Sequence, residues 1–141
     1  MSTLQKQIRT RVAALLATAS GLPTASIFQS SRRDIPVSLL PALLVYSHAD
    51  KPVDTEEDHS KPHQRIYTLR IEARVADRPE EDATDTLCIA IRKAILQDDS
   101  LAQLVIRTSW DLQQWDGVEE ATPVSGSALD FNFHYFWSPE W

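Results

Sequence analysis

The chain has 141 residues, enough for one domain with a sizeable core, and its 43% hydrophobic and 24% charged residues match globular composition rather than disorder. A net charge of −6 argues against a protein that grips nucleic acid, because that affinity comes from Lys and Arg displacing counterions from phosphates. A single cysteine, Cys88, excludes an internal disulfide and a multi-cysteine zinc site, and no apolar run approaches the roughly 20 residues that a membrane helix needs.

Leu4, Ile8, Val12, Leu15, Leu16 and Ala19 recur at helical spacing, which predicts an amphipathic core helix over about Thr3–Ala19. Lys6, Arg9 and Arg11 before "VAALLATASG" give it a superficial likeness to a signal peptide, but the uninterrupted apolar run is short. The expectation is a reduced, cytoplasmic protein. Ser20-Gly21 with Pro23 beyond are stop signals. A short strand, "SIFQS", follows, and then a polar connector with Arg32, Arg33 and Asp34.

"PALLVYSHA", residues 41–49, is apolar on both faces in its middle and predicts a strand inside a sheet. The acidic stretch "KPVDTEEDHSKPHQR" reads as the tip of a hairpin. Its return strand, residues 65–77, alternates: Tyr67, Leu69, Ile71, Ala73 and Val75 point to the core, while Thr68, Arg70, Glu72 and Arg74 make a wet face. A second helix runs through "RPEEDATDTLCIAIRKAILQDD", with acids at its positive end and Ala83, Leu87, Ala90, Ile91, Ala94 and Ile95 in one stripe. Two strands close the chain. "LAQLVIRTSWDLQQW" is the first. The second, "GSALDFNFHYFW", sets Leu129, Phe131, Phe133, Tyr135 and Trp137 on one face and Asp130, Asn132 and His134 on the other. This order predicts an α+β two-layer sandwich, two helices packed on one face of a mainly antiparallel mixed sheet.

Chemistry is sparse. Cys88 beside an apolar helical stripe reads as packing rather than a nucleophile. Three glycines in all cannot build a phosphate cradle. A metal reading rests on His48, Asp54, Glu56, Glu57, Asp58, His59 and His63. His59 and His63 stand four apart, but Pro62 between them discourages the helix that would align them, and no glycine allows a calcium-loop turn. A solvated acidic loop fits better. Trp110, Trp115, Trp137 and Trp141 read as core or interface, with acids rather than basic residues near them. No cofactor, metal ligand or catalytic residue is expected.

The succession of a helix ending in "GLP", a short strand, "RRDIPVSLLPALLVY", an acidic hairpin tip, "QRIYTLRIEARV", "EEDATDTLCIAIRKAIL" and "SALDFNFHYFW" resembles the tail terminators of long-tailed bacteriophages, the minor tail protein U group. The resemblance covers most of the chain and lies in the order of elements. It implies a structural protein without enzymatic activity: a hexameric ring that caps the tail tube, stops its polymerisation and meets a head-completion protein. It implies assembly in the host cytoplasm, residence in the virion tail and no membrane partner. DNA would pass through an acidic lumen without specific binding. Ring contacts are heterologous, so two different patches per subunit must match. The expected contact residues are Arg32, Arg33, Asp34, Asp54, Glu56, Glu57, Asp58, Arg70, Glu72, Arg74, Trp137 and Trp141. Another head–tail joining or tail-completion protein is the neighbouring reading, and a small metal-dependent enzyme using the 54–63 loop is a remote one.

Overall fold

Thr3 starts the first helix by leaving the helical region (φ −68°, ψ 161°) and accepting the Lys6 N–H on its Oγ1 at 3.1 Å. The helix, α1 (Leu4–Ala19), buries Ile8, Val12 and Leu16, one residue per turn on one face. Gly21, at φ 69°, supplies the left-handed residue just beyond its end. The computed structural model describes residues 3–22, 26–29, 42–54, 60–76, 81–117 and 124–138. Its remaining elements are β1 (Ile27–Phe28), β2 (Ala42–Pro52), β3 (His63–Ala76), α2 (Glu81–Leu96), α3 (Asp99–Leu104), β4 (Arg107–Gly117) and β5 (Val124–Trp137).

The strands form one sheet in the order β1-β2-β3-β5-β4. Only the β1–β2 pair is parallel, and the three other pairs are antiparallel. The mixed sheet and its helices make the expected α+β sandwich. Paired residues share a face, so the register sorts the side chains. One face carries Leu43, Val45, Tyr67, Leu69, Ile71, Ala73, Leu129, Phe131, Phe133 and Tyr135, all buried in a single cluster with Ile8, Val12, Leu16, Cys88, Ile91, Ile95 and Leu101 of the helices. Burial of each large side chain contributes about 1.5–3 kcal/mol. Cys88 is therefore a core residue, as its position on the helix suggested.

The expected boundaries shift in three places. β2 runs on to Pro52 and β3 begins at His63, so both ends of the acidic stretch are strand. A bulge between Ser47 and Ala49 carries the extra residue His48. The third correction is α3, where "LAQLV" was expected to open a strand. Asp98 decides it: the carboxylate caps the turn by accepting the Leu101 N–H at 3.0 Å, and the same carboxylate takes two bonds from Arg11 of α1 at 2.6 and 3.0 Å. Leu101 is then buried from the helix.

Candidate interaction surfaces

The face away from the helices was expected to be solvated or covered by another subunit, but its centre is paired within the subunit, while Arg107, Ser109 and Asp111 at the β4 edge are exposed. Arg70 donates to both oxygens of Asp130 at 2.7 and 2.9 Å, across the β3–β5 register. Arg74 donates to Glu72 at 3.0 Å, and the Tyr46 hydroxyl from β2 donates to the other oxygen of the same carboxylate. Thr68 donates to Asn132 at 2.7 Å. Arg74, Asp130 and His134 are each only 8% exposed, and Leu44, in register with Glu72, is fully buried.

The charges are tolerated there because they are paired within hydrogen-bonding distance. Burial, helped by the Glu72 carboxylate, pushes the Tyr46 phenol up to about 12, and the Asp130 bonds hold Arg70 firmly in its charged form. Arg70, Glu72 and Arg74 thus tie β2, β3 and β5 together. The wet-face expectation is corrected for them, and for Asp130 and His134.

A second network closes the hairpin end of the helix-covered face. Asp50 accepts from Arg65 at 2.9 Å, from the Tyr135 hydroxyl at 2.7 Å and from Gln5 of α1 at 2.7 Å. Burial, with Asp50 second, pushes the Tyr135 phenol well above its usual range. His63 is 2% exposed rather than part of a solvated loop. Its Nδ1 lies 2.7 Å from the Lys61 carbonyl and its Nε2 lies 3.1 Å from Arg65. A proton on Nδ1 donated to the carbonyl, leaving Nε2 to accept from the guanidinium, satisfies both contacts. Both nitrogens are therefore engaged, which leaves His63 poorly placed as a metal ligand. Among the described residues no group of three or more His, Cys, Asp or Glu side chains could hold a metal.

Trp137 ends β5 with its ring tilted against that of His63, centroids 5.2 Å apart, and is half-buried beside the core. Asp54 is exposed at the start of the hairpin tip. Arg32, Arg33, Asp34, Glu56, Glu57, Asp58, His59 and Trp141 lie outside the described residues.

Sequence reasoning missed the outer edge of the sheet. β4 is the terminal strand, and Arg107, Ser109, Trp110, Asp111 and Leu112 are all exposed. Arg92 of α2 stacks over the Trp110 ring, 4.3 Å from its centroid. Ile89 and Leu96 share the Arg92 side of α2 by helical spacing and are exposed, as is Ile106. Nothing in the sequence marks this edge, because Arg107, Ser109 and Asp111 alternating with Thr108, Trp110 and Leu112 read as an ordinary half-buried strand. Among the described residues no helix is long and apolar enough to cross a membrane. No family model matches the chain, and no curated protein matches it in sequence.

Proposed function

We propose that the chain is a structural subunit of a phage or prophage tail, a terminator that caps the tail tube as a hexameric ring. The observation that carries this reading is the succession of elements. The helix closed by Gly21, the short β1, the long β2–β3 hairpin, α2 and the closing β5 occur in the order on which the resemblance rests, and the strands among them join in one sheet. The polar clusters support a non-enzymatic role. The Asp50–Arg65–His63 group and the Arg70–Asp130 and Glu72–Arg74 groups have their donors and acceptors directed at one another, which leaves these groups serving the fold.

Contacts in the ring fall to the connector at Arg32, Arg33 and Asp34, the hairpin tip with Asp54, Glu56, Glu57 and Asp58, and the C-terminal tryptophans Trp137 and Trp141. Arg70, Glu72 and Arg74 drop out of this set because their partners lie within the subunit. The net charge of −6 suits a lumen through which DNA slides, since like charge repels the phosphates.

The test polymerises the cognate tail-tube protein with and without the full chain and images the tubes by electron microscopy. Shorter tubes ending in a ring are expected. Tubes of unchanged length with bare ends would contradict the reading, and a ring bound on the head side of already capped tubes would favour a head–tail joining protein instead. Replacing residues 54–61 by an Asn-Gly turn is expected to keep the thermal unfolding midpoint within a few degrees and to abolish capping.

A further inference from the structure

We propose that the free edge of β4 is a self-association surface, on which a second copy of this chain adds its own β4 antiparallel about a two-fold axis at Ser109. Among the described residues β4 is bonded to β5 on one side only, and an antiparallel strand turns the N–H and C=O of alternate residues to its outer side. Natural edge strands are commonly protected by charge. Over residues 107–112 this edge carries one cation and one anion, Arg107 and Asp111, both exposed and on the same face.

Their spacing fixes the register. With Ser109 opposite Ser109 of the second copy, Arg107 faces Asp111 of that copy, and the two-fold repeats the pair. Centred on Arg107 or on Asp111 instead, the strand would set like charge against like. Centred on Trp110, it would set Asp111 against Ser109. Of these registers only the one centred on Ser109 sets Arg107 against Asp111 at both symmetry-related positions, the complementarity that an isologous contact requires.

The apolar side chains agree with that register. It brings Leu112, 39% exposed, level with Ile106, 56% exposed, on the other copy. Trp110, also 39% exposed, comes diagonal to its own counterpart across the axis, within reach for aromatic side chains. Arg92 fixes the Trp110 ring from the α2 side, so part of its ordering cost is met before association. The pairing uses none of the residues assigned above to the ring, and it stands whether or not the chain caps a tube.

Sedimentation of the full chain over a range of concentrations is expected to show a monomer–dimer equilibrium. Arg107→Asp or Asp111→Arg alone places like charges at both symmetry-related contacts and is expected to weaken the dimer at least about tenfold. The double exchange, Arg107→Asp with Asp111→Arg, is expected to restore it. Ser109→Cys is expected to form a disulfide-linked dimer under mild oxidation, because only this register sets the two cysteines opposite each other; Cys88 is buried and gives the unchanged chain as a control. Circular dichroism on every variant checks folding. A wild-type chain that stays monomeric, a double exchange that fails to rescue, or a folded Ser109→Cys chain that associates without cross-linking would each overturn the proposal. A chain that dimerises in this way and leaves tubes uncapped would retain the edge and lose the terminator reading.

Discussion

Arg70 and Arg107 lie on the same face of the same sheet, yet they serve different ends. Arg70 sits on β3, with strands on both sides, and meets both oxygens of Asp130 while only 19% of its side chain is exposed. Arg107 begins β4, where the sheet stops, and is exposed. An arginine inside a sheet must find its carboxylate within the chain, because an unpaired buried charge is costly. One at an edge is free to meet a partner. The lesson is that charge on the polar side of a strand becomes surface or scaffold according to whether another strand follows.

That contrast yields predictions of decreasing size. Arg70→Ala removes both bonds to Asp130 and leaves a carboxylate that is only 8% exposed without its main partner. The expected loss is about 2–3 kcal/mol, reduced from the fully buried case because the pair keeps some contact with water. Urea unfolding should show it as a lower midpoint at unchanged slope. Asp98→Ala removes the α3 cap, with an expected loss of about 1 kcal/mol by the same measurement.

Two titrations should be smaller still. The Arg11 bonds, and then the Leu101 N–H, hold the Asp98 carboxyl below its usual range. A carboxyl lowered in the folded state stabilises the fold above its unfolded value near 3.8, and this contribution is lost as pH falls through the lower folded value. Asp98→Asn should therefore flatten the acid limb below about pH 4. Burial, with neighbouring Arg107, holds His134 below 6.5, so the unfolded chain binds its proton first. Stability should thus decline as pH falls below about 6.5, and His134→Gln should remove that part of the decline.

Much of the fold was legible in the sequence. The turn-by-turn repeat of Ile8, Val12 and Leu16 and the alternation of Tyr67, Leu69, Ile71 and Ala73 are direct images of helix and strand periods, and all of these residues are in the core. α3 was hidden because five residues of "LAQLV" satisfy either period, and the cap that decides between them also depends on Arg11, 87 residues away. The opposite face was misread for a related reason. Alternation says which residues turn from the core, but not what they meet. Arg70 finds Asp130 sixty residues on only because β3 pairs with β5 in one register. His63 lay within the stretch read as the hairpin tip, although a proline is compatible with a strand that begins at the next residue. The β4 edge was invisible until the strand order placed it outermost.

The contrast between Arg70 and Arg107 is tested most directly by reversing each charge and measuring urea unfolding and sedimentation on the same samples. Arg70→Glu is expected to lower stability markedly. Arg107→Glu is expected to keep stability within about 0.5 kcal/mol of the parent and to weaken self-association. An Arg70→Glu chain of full stability whose association is lost, or an Arg107→Glu chain that unfolds while the dimer constant is unchanged, would contradict the account.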